Sequence, residues 1–90
     1  MDLTLGDVTG GVLVIIQFTL AGAVKKGNRP SFTDAEDPER AEQLSLAVAE
    51  RLRANGLEVA TGIFGASMAV ELLNDGPITL FVFTRDGRVI

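Results

Sequence analysis

Residues 11–32 read GVLVIIQFTLAGAVKKGNRPSF. The β-branched run Val12 to Thr19 is nearly continuous and is flanked by glycines. That pattern predicts a strand covered on both faces, although periodicity alone would also allow a helix. Gln17 and Thr19 interrupt the run and share a face if the strand continues through them. A strand end explains them simply, since Thr favours β-structure and Gln reaches solvent. The other reading is a polar site at the end of a buried strand. After Leu20 the chain changes character. Lys25, Lys26 and Arg29 cluster around Gly27, Asn28 and Pro30, with Phe32 following. Gly, Asn and Pro break both regular periods, so this is a basic loop. It is either merely solvated or a local field suited to phosphate.

The composition bounds what surrounds this stretch. Ninety residues make one domain at most, and 47% hydrophobic with 22% charged residues predicts a folded chain. Its core is thin for its apolar content, so surplus apolar surface and an oligomer are expected. The net charge of −4 argues against non-specific nucleic-acid binding over the whole surface, while leaving room for a basic patch. There is no Cys and no His, which removes disulfides, thiolate metal sites and the commonest general base. The apolar run Val12 to Val24 is shorter than the ~20 residues of a spanning helix. Asp2 and Asp7 precede it without Lys or Arg, which is wrong for a signal peptide. The expectation is a soluble, cytoplasmic protein with no membrane partner.

Elsewhere the clearest element is a helix over about 38–55. Asp37 is a good N-cap, Pro38 fits the first helical position, Glu39 suits the positive dipole end, and Asn55-Gly56 supplies the stop. Ala41, Leu44, Val48 and Leu52 form its predicted apolar face. Leu3–Leu5 and Leu57–Ala60 read as short strands, Met68–Leu73 and Ile78–Thr84 as longer ones. Thr61 to Gly65 is a glycine-marked loop, and Asp86-Gly87 predicts a terminal hairpin. The predicted class is α+β, a mainly antiparallel sheet with one long amphipathic helix. Gly22 to Gly27 has the glycine spacing of a phosphate loop but Asn28 and Arg29 where Lys and Ser/Thr belong, so it fails. Asp34, Glu36 and Asp37 read as solvated cap and loop rather than metal ligands.

Four landmarks, Gln17-Phe18-Thr19-Leu20, Lys25 to Phe32, Thr61 to Ala66 and Asn74-Asp75-Gly76-Pro77-Ile78-Thr79, together resemble the D-aminoacyl-tRNA deacylase family. The resemblance runs from about Leu3 to Leu80. It implies a homodimer, with the active site at the subunit interface, that hydrolyses the ester joining a D-amino acid or glycine to tRNA. It further implies that Gln17, Phe18 and Thr19 belong to the catalytic strand, and that Gly76-Pro77 is a cis element inserted into the partner's site. Phe64, Ala66 and Met68 would lie near the pocket, and Lys25, Lys26 and Arg29 are candidates for tRNA phosphates. No cofactor or metal is implied. Without His or Cys, Thr19 lacks a base to make it a nucleophile, whereas a site built from amide N–H groups and the tRNA's own 2′-hydroxyl needs none.

Two departures stand out. Ile16 replaces the family's Ser before the Gln, and Met1 falls where the family's N-terminal strands and helix have ended. Residues 1–90 are thus expected to form one domain, the C-terminal part of the deacylase fold. A second reading stays open: a non-catalytic paralogue that acts as a binding or assembly domain.

Overall fold

The computed structural model describes residues 3–25 and 27–90. Strand β1 (Gly11–Val14) is followed by a short 3-10 turn (Phe18–Ala21), helix α1 (Pro38–Ala54) and strand β2 (Glu58–Thr61). β1 and β2 pair in parallel, with Val12 opposite Val59 and Val14 opposite Thr61. The chain ends in a small antiparallel hairpin, β3 (Thr84–Arg85) and β4 (Arg88–Val89).

The helix forms where local chemistry dictates. The Asp37 carboxylate accepts from the Arg40 N–H at 3.4 Å, and Pro38 occupies the first turn. At the other end Gly56 takes a positive φ of 84°, with its N–H donating to the Arg53 carbonyl at 2.9 Å. Arg53 then ties the helix to the sheet. Its guanidinium pairs with Glu50 at 2.6 Å and donates to the Val59 carbonyl at 3.2 Å. In the N-terminal turn, the Thr4 backbone N–H and then its hydroxyl hold the Asp7 carboxyl below its ordinary range. A depressed pKa stabilises that turn above the ordinary Asp value, an effect lost as pH falls through the lowered one.

Several expectations are corrected. The class is α+β, but the sheet is not mainly antiparallel, because the central pair is parallel. β1 stops at Val14 rather than continuing to Thr19. Past that point its one partner, β2, also ends, and the Val14 carbonyl takes a last bond from the Gly62 N–H at 3.2 Å. Leu3–Leu5 belongs to a turn, not a strand. Met68–Leu73 and most of Ile78–Thr84 have no ladder partner among the described residues, so their alternation stays unrealised.

The helix face is also rotated from the predicted one. α1 turns Ala41, Ser45, Ala49 and Leu52 inward, and leaves Leu44 and Val48 about half exposed. The small side chain of Ala49 lets the second half of the helix lie close on β2. Ala49 is the one fully buried hydrophobic among the described residues.

The sheet is likewise covered on one face only. Val12 and Val14 are half-buried, while Leu13 and Ile15 remain 59% and 39% exposed. The radius of gyration is 15.5 Å, against about 12 Å for a compact chain of this length. The accessible surface of 8409 Å² exceeds the compact expectation by about 3,400 Å². The surplus apolar surface read from composition is therefore present.

Ala49→Leu should overpack the α1–β2 contact and cost about 1–3 kcal/mol in urea denaturation. Val48→Ala, on the half-exposed flank, should cost well under 1 kcal/mol in the same measurement.

Candidate active site

Where β1 ends, the first half of α1 and the loop after β2 stand apart, and a groove of about 780 Å³ opens between them. Its floor is apolar, from Val14, Ile16, Phe64 and Met68; Gln17 and Phe18 stand on one side. The helix and the segment before it add Glu36, Asp37 and Glu42, an acidic rim. Glu36 is held in place, its carboxylate accepting from the Asp37 N–H at 2.9 Å and lying 3.7 Å from Arg40. Ser45 is half-buried, and its hydroxyl donates to the Glu42 carbonyl at 2.8 Å.

The basic loop is held at its base. Ala23 and Ser31 exchange two backbone hydrogen bonds, each 2.7 Å, as an isolated antiparallel bridge. Phe32, just beyond, packs edge-on against Phe18 with centroids 5.2 Å apart. Gly22 lies beneath that pair, and a Cβ there would come within 2.9 Å of the Phe32 ring and 3.0 Å of the Thr19 carbonyl. The same contacts that close the loop therefore set one wall of the groove. Gly27 at the loop tip has a φ of 69°, which suits glycine. Lys25 and Arg29 are exposed on either side of it, whereas Lys26 lies outside the described residues.

The structure gathers Gln17, Phe18, Phe64, Ala66 and Met68 around one groove. Thr19 sits next to it, exposed in the 3-10 turn Phe18–Ala21, and is not among the lining residues. Gln17 and Thr19 do not share a strand face, because the strand has already ended. Gly76 and Pro77 also lie outside the lining, although their peptide bond is cis. Sequence reasoning missed the helix side of the groove, including Glu36, Asp37, Ala41 and Ser45. A capping segment next to a loop gave no signal that it would face the end of β1.

Comparison with known proteins agrees with these landmarks. The D-Tyr-tRNA(Tyr) deacylase family model matches residues 1–83. A protein of Paracoccus denitrificans named D-aminoacyl-tRNA deacylase is 54% identical over 86 residues, 96% of this chain and 58% of that protein. A protein of the same name from Fusobacterium nucleatum is 51% identical over 89 residues, 99% of this chain and 59% of its own length. One from Heliobacterium modesticaldum is 54% identical over 88 residues, with 98% and 59% covered. The chain thus spans somewhat under two thirds of the length of the curated relatives it matches.

Gly22→Ala should push Phe32 away from Phe18 and loosen the base of the basic loop. NMR should show loss of the cross-peaks between the two rings and faster exchange of the Ala23 and Ser31 amides, with α1 amides unaffected.

Proposed function

This chain belongs to the D-Tyr-tRNA(Tyr) deacylase family, and we propose that it provides the ester-binding part of an enzyme that hydrolyses D-aminoacyl-tRNA. The observation that carries the reading is the identity of about half the residues to proteins named D-aminoacyl-tRNA deacylase over nearly the whole chain. The groove beside Gln17 and Phe18 is of a size to take an aminoacyl group. Residues 1–90 act as one domain, the C-terminal part of the deacylase fold.

The chemistry follows from what the chain has. Water attacks the ester carbonyl, the carbon becomes tetrahedral, and the tRNA 3′-hydroxyl leaves with a proton. The developing oxyanion needs fixed donors, and the first N–H groups of a helical turn have no acceptor within it. The backbone N–H groups of Phe18 and Thr19, at the start of the 3-10 turn, fill that role. The tRNA's own 2′-hydroxyl assists proton transfer, so no ionisable side chain is required. Thr19 positions the ester, Gln17 and Phe18 hold the adjacent wall, and Phe64, Ala66 and Met68 contact the amino acid. No cofactor or metal takes part.

Handedness is set by main-chain atoms. Gly76-Pro77 of one copy enters the site of another, where its carbonyls hold the α-amino group and leave no space for an L side chain. A backbone filter suits this task, since every L-amino acid must be refused whatever its side chain. The homodimer this requires would also cover part of the excess apolar surface. Lys25, Lys26 and Arg29 take phosphates of the tRNA. Among the described residues no helix is long and apolar enough to cross a membrane, and the reaction belongs in the cytoplasm with translation.

A deacylation assay on D-tyrosyl-tRNA, L-tyrosyl-tRNA and glycyl-tRNA tests the reading. The D-ester should be cleared and the L-ester spared, with Thr19→Ala, which keeps the N–H and removes the positioning hydroxyl, lowering turnover about a hundredfold. No hydrolysis above the buffer rate would leave the chain as a non-catalytic assembly domain. Lys25→Ala/Lys26→Ala should weaken tRNA binding and lower the log–log salt slope by up to about 1.8 for two duplex phosphates. An unchanged slope would return the loop to plain solvation.

A further inference from the structure

The hairpin β3–β4 lies just beyond residue 83, where the match to the family model ends. Its turn is well defined: Asp86 and Gly87 have φ of 53° and 76°, the pair of positive values a two-residue hairpin turn requires. The Ile90 N–H extends the pairing by donating to the Phe83 carbonyl at 2.8 Å.

The register sets Arg85 directly opposite Arg88. Opposed like charges destabilise a strand pair, so nothing in the hairpin's own stability calls for this arrangement. Both side chains are exposed. Among the described residues the ion pairs are Glu36–Arg40 and Glu50–Arg53, so neither Arg85 nor Arg88 has a carboxylate within 4.0 Å, that of neighbouring Asp86 included. Just before the hairpin, Phe81 and Phe83 stack with centroids 5.9 Å apart and planes 12° from parallel, and are 71% and 56% exposed. Strand alternation places Phe83, Arg85, Arg88 and Ile90 on one face. Two arginines next to stacked rings suit an anionic polymer with flat bases.

The position of Phe83 supplies the second argument. A shallower groove of about 390 Å³ is lined jointly by Phe83 and by Gln17, Phe18 and Leu20. The ribbon therefore starts next to two residues of the candidate site, Gln17 and Phe18.

We propose that this hairpin is a second RNA-binding element, in which Arg85 and Arg88 take phosphates of the single-stranded 3′ end of tRNA while the Phe81–Phe83 rings lie against its bases. The assignment rests on tRNA being the substrate, and it names a contact that Lys25, Lys26 and Arg29 do not supply. Phe83 shares the shallower groove with Gln17 and Phe18, the residues beside which the ester is held.

The test uses binding of uncharged tRNA to the full chain, so it is independent of turnover. Fluorescence anisotropy would compare intact tRNA with the same tRNA trimmed of its single-stranded 3′ end. Wild type should bind intact tRNA about tenfold more tightly, and Arg85→Gln/Arg88→Gln should erase that preference. The double variant should also reduce the log–log salt slope for intact tRNA by about 1.4, two single-strand phosphates. Arg85→Lys/Arg88→Lys should keep most of the slope. The thermal midpoint of the glutamine variant should be equal to or above wild type, since a repulsion has been removed. A preference for intact tRNA that survives in the glutamine variant would overturn the assignment. So would a lowered midpoint with an unchanged slope, or arginine-dependent sedimentation with phosphatidylserine vesicles in place of RNA binding. Failure of the deacylation assay, by contrast, would remove the catalytic reading and leave this binding result to stand by itself.

Discussion

The parallel pairing of β1 with β2 is the constraint from which the rest of the structure follows. Parallel neighbours cannot be joined by a tight turn, so the chain between them must cross back, and here α1 makes that crossing. Loop closure over such a separation grows only logarithmically with length, so the basic loop and the capping segment fit within it at modest entropic cost. The pairing also puts the end of β1 beside the end of β2. Gln17 and Phe18 thereby meet Phe64, Ala66 and Met68, which no local interaction would bring together.

That pairing is narrow, and it explains the shape of the whole chain. A two-stranded sheet has two free edges and gains stability mainly from what covers its faces. α1 covers one face through Ala49 and Leu52, while Leu13 and Ile15 stay open on the other. Small residues allow a close approach but contribute little buried area each, so the contact specifies geometry more than it adds stability. The extended run from Met68 to Phe83 has strand-like alternation and no ladder among the described residues. Its unpaired backbone and exposed apolar side chains call for a second layer from outside these residues.

The helix was legible in the sequence because every one of its signals is local: Asp37, Pro38, Glu39 and Gly56 act within a turn of where they stand. The same holds for the terminal hairpin, where Asp86-Gly87 sets the turn by its own φ values. Strand length was not legible, because a ladder lasts only as long as its partner. Val12 to Thr19 has one continuous pattern, yet β2 ends at Thr61 and β1 ends with it. The helix face was misjudged for a related reason. Val48 is larger and more hydrophobic than Ala49, but closeness to the sheet at that turn selects the small residue. At the site, Gln17 was identifiable as a polar interruption and Phe18 through the family resemblance, whereas Glu36 and Ser45 enter only through the crossing of α1.

Charge is distributed in a way that the net value of −4 conceals. Glu36, Asp37 and Glu42 lie along the helix side of the groove, while Lys25 and Arg29 project from the loop anchored by the Ala23–Ser31 bridge. Arg85 and Arg88 form a separate pair at the end of the chain. An anionic polymer approaching such a body meets paired cations at the loop and at the hairpin. At physiological ionic strength fields decay over roughly 8 Å, so those places act locally rather than through the net charge. Repulsion elsewhere then becomes useful, because it disfavours every orientation except the ones that present phosphates to the cations.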